Sequence, residues 1–218
     1  MRQPPPQPRG PVTAANVDHA VTLALATLGK ADAPDWRVPA GTLEWDCWET
    51  VEHMSDDLFA YATQLGPKMP PLSEPVPFAC SARRLGGPQG AIFADPDAGP
   101  DGLLQVLEAT GALLTAMVAT AAPVSEGPRP FGVPDPAGFA AAAGVVEVLV
   151  HTHDVSRGFG LPWTPPGDLC GRALGRMFPH APTDTDPWLT LLWATGRGQL
   201  AGHPAVTSWR WHLGSPSD

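Results

Sequence analysis

Cysteine is scarce: Cys47, Cys80 and Cys170 are the only three in 218 residues. They form no C-x-x-C pair and leave one over in any pairing, which argues against a disulfide framework and for a reduced, cytoplasmic protein. Basic residues are also few. With 13 Lys plus Arg against 22 Asp plus Glu and a formal net charge of -9, no cationic run exists to track a phosphate backbone or an anionic bilayer, so nucleic acid and membrane are not expected partners. No uninterrupted apolar run of about 20 residues occurs; Leu103–Ala122 comes nearest and is broken by Gln105, Glu108 and Gly111. The first residues, Met1-Arg2-Gln3-Pro4-Pro5-Pro6, lack the apolar centre of a secretory signal. No G-x-S-x-G elbow, P-loop or strand-preceded G-x-G-x-x-G is present, and no repeat of solenoid type.

What the chain has in abundance is proline and glycine, 28 and 23 residues, close to the share that suggests disorder. Hydrophobic residues at 43%, with eight Trp, provide for a core and place the prolines in the connections. Residues 1–11, with five prolines, read as a disordered leader. Helical stripes follow: Val17, Val21, Ala24 and Leu28 predict a helix from Thr13 to about Lys30, and Val51, Met54, Leu58 and Ala62 a second over Trp45–Leu65. Trp36 should anchor the loop between them. Residues 67–100 hold eight prolines and should form a long connection with a short strand near Ala91–Ala94. A third helix is expected over Asp101–Ala122, stopped by Pro123, and a fourth from Pro136 to Arg157. Shorter helices near 168–177 and 187–197 should precede an extended tail carrying Trp209 and Trp211. The expectation is an all-α protein: a four-helix bundle over 12–160 and a C-terminal extension, 161–218, packed on it.

On the fourth helix, Glu147 and His151 are four residues apart and share one face, so a carboxylate and an imidazole can converge on one cation. His53 adjoins Met54 on the apolar stripe of the second helix. Together the three would make an open site with room for water or a thiol; separately, each His also reads as a hydrogen-bonded core residue. Ala140 and Gly144 lie on the same stripe as Glu147 and are small, which fits either a pocket wall or close helix packing. Asp154 could orient a ligand or be a surface residue near the helix end, and Asp56 and Asp57 could support His53 or be solvated. His153 is turned about 200° from His151 and reads as peripheral, and Cys47 as a buried structural thiol.

The segments Trp36-Arg37-Val38-Pro39-Ala40-Gly41, Trp48-Glu49-Thr50-Val51-Glu52-His53 and Glu147-Val148-Leu149-Val150-His151-Thr152-His153-Asp154 resemble the DinB-like superfamily. They are most similar to the N-terminal domain of actinobacterial mycothiol-dependent maleylpyruvate isomerases. The likeness spans about residues 12–160, and Asp186–Arg197 resembles the tails of relatives. It implies a divalent metal, zinc for preference, on His53, Glu147 and His151, activating mycothiol as a thiolate toward an electrophilic substrate, in a monomer or homodimer. Thiol transfer or isomerisation is the function so implied. A non-catalytic metal- or small-ligand-binding bundle and a hydrolase using metal-bound water are the alternatives. The family isomerases carry a further C-terminal domain that contributes a substrate-binding arginine; here only about 60 residues follow the fourth helix, which sets maleylpyruvate aside. Arg197 is left as an anion contact or a surface residue.

Overall fold

The computed structural model describes residues 10–32, 35–71, 74–121 and 129–214. The leader expected over 1–11 lies outside the described residues up to residue 9, as does Pro123. Pro11 is described, and its carbonyl accepts a hydrogen bond from Arg172 Nη1 at 3.2 Å.

Among the described residues the chain is all-α, with six helices and no strand: α1 (Ala14–Leu28), α2 (Cys47–Gln64), α3 (Gly99–Thr120), α4 (Pro136–Phe159), α5 (Gly167–Met177) and α6 (Pro187–Ala194). α1 and α2 each pack on both α3 and α4, α3 also touches α4, and α5 lies between α4 and α6. Local chemistry sets the ends. At the start of α2 the Asp46 carboxylate accepts from Glu49 N at 2.7 Å while Glu49 returns a carboxylate to Asp46 N at 3.1 Å, so two of the helix's unpaired N–H groups are satisfied reciprocally. Asp135 caps α4, Pro136 occupies its first turn, and Gly160 ends it in the left-handed region at φ 67°.

α4 is buried on nearly every side from Phe139 to Ser156, as an all-round apolar helix must be. Any polar group on it is therefore desolvated and needs a partner. α3 with its leading turn, Pro96–Thr120, is long and apolar enough to cross a membrane by length and composition, yet Leu103, Leu107 and Leu114 are buried within this fold. Trp36 is buried as expected, its ring 4.8 Å from Phe159. The tail packs through Trp209 and Trp211 on Phe178, and His212 N donates to Met177 O.

The strand expected at Ala91–Ala94 does not form. Those amides are taken by side chains of α2: Ala91 N and Ile92 N donate to Asp56 Oδ1 at 2.7 and 3.1 Å, and Ala94 N donates to Glu52 Oε1 at 3.0 Å. Arg83 donates twice to Glu52 and once to Ala94 O, and Arg84 forks onto Glu49. Glu49, Glu52 and Asp56 recur at helical spacing, so one acidic face of α2 clamps the proline-rich connection.

Candidate metal centre

His53 on α2 and Glu147 with His151 on α4 each offer one ligand atom, and the three atoms lie within 4.8 Å of one another. His151 Nε2 meets Glu147 Oε2 at 3.2 Å, and the His53 and His151 rings are 5.1 Å apart at 83°. The other nitrogen of His151, Nδ1, stands 3.1 Å from Asp154 Oδ2. Asp154 thus fixes the ring so that Nε2 is turned toward Glu147, the arrangement in which a carboxylate behind an imidazole orients it for a cation.

Asp154 is in turn held by Arg197, whose Nε and Nη2 donate to its carboxylate at 2.9 and 2.8 Å. This corrects both sequence expectations for Arg197. Its side chain is 13% exposed, so it is no surface residue, and its guanidinium is committed to Asp154 instead of facing an incoming anion. The extension beyond residue 160 therefore supplies a buttress to the centre.

Three more residues complete the surroundings. Asp57 Oδ2 lies 3.3 Å from His53 Nε2, Tyr61 Oη donates a long 3.5 Å hydrogen bond to Glu147 Oε1, and the Trp45 ring stands 4.7 Å from that of His53. Asp57 and Tyr61 follow His53 at four and eight residues, a helical stripe that points to both. Trp45 precedes the helix and has no such signal. Asp56, by contrast, serves the connection.

Gly144 and Ala140 are closely packed against neighbouring side chains. A Cβ on Gly144 would stand 2.6 Å from Leu114 Cδ2 and 3.0 Å from Leu58 Cδ2, and Ala140 is fully buried. These small residues let α4 approach α2 and α3. Gly144→Val should cost about 1–3 kcal/mol through overpacking, read as a lower midpoint in urea unfolding; an unchanged midpoint would mean that open space is present after all. Cys47 is buried, with its thiol pushed up to about 12 by burial and Asp46, and His153 sits off the centre against Trp188.

The charges divide in a way that suits a cation. Burial, then the positive charge of His151, push His53 down to about 4, so it is a neutral imidazole with a lone pair to give at pH 7. Burial opposes charge on His151 too, yet the hydrogen bonds its ring donates to Asp154 and Glu147 carry it up to about 9. Glu147 resists its burial and stays below the ordinary carboxylate range because His151 faces it. Burial and the Glu147 charge drive Asp57 well upward. The residues fit a metal by this donor chemistry: the neutral His53 ring, an ionised and buried carboxylate, and the His151 ring once the ion displaces its proton.

A pH dependence follows. A raised imidazole contributes stability that is complete below its unfolded value near 6.5 and lost as pH rises through about 9; a lowered one, His53, contributes a loss as pH falls from 6.5 toward 4. By these two rings the metal-free protein should melt highest near pH 6.5, with the raised Asp57 carboxyl drawing the maximum toward acid. Excess zinc, which takes the place of the His151 proton, should remove the alkaline decline. A melting temperature that falls equally from pH 6.5 to 9 with and without zinc would contradict the ligand role of His151.

No family model, no curated protein and no solved structure matches the chain. The centre's own geometry is the ground on which a function must be argued.

Proposed function

We propose that α1–α4 form a DinB-like four-helix bundle in which His53, Glu147 and His151 hold a divalent metal, most suitably zinc, and that the protein uses it for thiol-dependent transfer or isomerisation. The observation that carries this reading is the convergence of the three donors, with Asp154 and Arg197 fixing His151 behind them. A divalent cation there would lower the pKa of a thiol and hold the sulfur, making a nucleophilic thiolate at neutral pH.

The chain itself offers no thiolate to the centre. Cys47 and Cys170 are both buried with pKa values pushed up to about 12, and Cys80 is exposed on the connection. The nucleophile must then come from outside, as mycothiol or a thiol of similar kind. Glu147 would supply the anionic ligand, Asp154 would hold the ring of His151, and Trp45 would cover one side of both imidazoles.

A second reading, hydrolysis by metal-bound water, is favoured by Asp57. Its carboxyl lies 3.3 Å from His53 Nε2, where a base beside a metal-bound water would stand, and burial with the Glu147 charge raises it above its usual range, toward holding a proton. The two readings separate on thiol binding. Cobalt-substituted protein titrated with mycothiol should develop sulfur-to-cobalt charge-transfer absorption in the near ultraviolet. A spectrum unchanged by thiol but altered by hydroxide favours hydrolysis, and one altered by neither favours a non-catalytic metal-binding bundle.

A further inference from the structure

The connection that closes over His53 leaves almost no room there. Between His53 and residues 88–93 the free space is only about 10 Å³, so an organic ligand cannot approach from that side without displacing the Arg83 and Arg84 clamps. The opposite end of the same α2 stripe is different. There a cavity of about 540 Å³ is lined by Ala60, Tyr61, Gln64, Phe131, Phe139 and Leu213, with Glu74 and Pro75 at its rim. This is within the ordinary size of a small-molecule site.

Its chemistry is specific. Phe131 and Phe139 face each other with ring centroids 5.0 Å apart, and Phe131 lies 6.1 Å from Tyr61. Phe131 adopts φ 59°, a left-handed conformation that is strained for a bulky side chain and concentrates at ligand sites. The Gln64 amide is spent on Pro71 O, Glu74 O and Val76 N. No Lys, Arg or His lines the cavity among the described residues, and the one ionisable carboxylate, Glu74, is exposed at the rim. An anionic ligand would find no counter-charge there. Tyr61 spans the wall: its ring borders the cavity and its hydroxyl reaches Glu147.

We propose that this cavity binds a neutral, ring-bearing apolar molecule and presents it to the metal centre past Tyr61. The inference names the substrate class of the centre and rests, in that respect alone, on the metal reading above. Occupancy of the cavity itself is tested without metal.

The probe is 6-propionyl-2-dimethylaminonaphthalene, a neutral aromatic ketone whose emission shifts to the blue in apolar surroundings, titrated into the full chain both zinc-stripped and zinc-loaded. Blue-shifted, saturable binding is expected in both forms, at least tenfold tighter than that of the anionic 8-anilinonaphthalene-1-sulfonate. Ala60→Trp, which fills the cavity, should weaken it at least tenfold. Phe131→Asn, a residue that tolerates positive φ, should weaken it at least fivefold and guards against a folding failure of the first variant. A second apolar cavity, of about 490 Å³, lies between Phe178, Trp193, Val206 and Trp211; Val206→Trp, which fills it, should change binding by less than twofold. Binding that survives both Ala60→Trp and Phe131→Asn, is lost in Val206→Trp, or prefers the anionic probe would overturn the proposal. Such a failure in protein that still takes up zinc leaves the metal reading standing, and the converse result leaves the cavity standing.

Discussion

Arg197→Ala should destabilise the fold by about 3 kcal/mol, because breaking a buried ion pair strands the partner charge. Asp154 is 3% exposed, and Arg197 is forked onto it from the turn after α6. The figure is at the low end for buried pairs since His151 still faces the same carboxylate in the variant. For a chain of this size such a loss lowers the melting temperature by about 6–12 °C. The same variant should bind zinc about 10–100-fold more weakly, as expected when the group that orients a metal-binding imidazole is itself released. Arg197→Lys keeps the charge without the fork and should fall between the two. A surface arginine would give a change within about 0.5 kcal/mol, which calorimetric melting distinguishes directly.

The larger effect on metal is expected at the donors. His53→Ala, Glu147→Ala and His151→Ala should each weaken zinc binding by more than the roughly hundredfold that marks the loss of a supporting residue, measured by competition with a chromogenic chelator. Their effects on the metal-free fold should differ. Without Glu147, the raised His151 loses the carboxylate against its Nε2, so Glu147→Ala should flatten the alkaline decline in stability. His53→Ala should instead flatten the acid one, because burial of His53 as a neutral ring is what makes protonation costly there. Weakened zinc binding with wild-type pH profiles would mean that the fold, and not the ligand set, had been disturbed.

The parts of this structure that depend on local periodicity were legible in the sequence. The apolar stripes of α2 and α4 placed those helices within two residues at each end, and the four-residue spacing of Glu147 and His151 put both on one face. That His53 meets them across the α2–α4 interface was also readable, since it adjoins Met54 on the buried side. Asp57 and Tyr61 lay on the same stripe at successive turns, where the pattern left Asp57 open and passed over Tyr61. Other features had no local signature. Arg197 reaches Asp154 from 43 positions away, a contact that only the packing of α5 and α6 creates. Small residues such as Gly144 read equally as pocket or as close packing until Leu58 and Leu114 are seen against it. The segment at Ala91–Ala94 has the apolar look of a strand, but its amides found Glu52 and Asp56 before any neighbouring chain. Backbone groups need partners and do not require that the partner be a strand.

The most direct test of the metal centre is the metal content of the protein purified without added metal, by elemental mass spectrometry against protein concentration. Close to one equivalent of a divalent ion, lost in His53→Ala and in His151→Ala, is the expected result. Less than about half an equivalent in the wild type, or full retention in both variants, would contradict a site built on His53, Glu147 and His151, since three converging protein donors should carry their ion through purification.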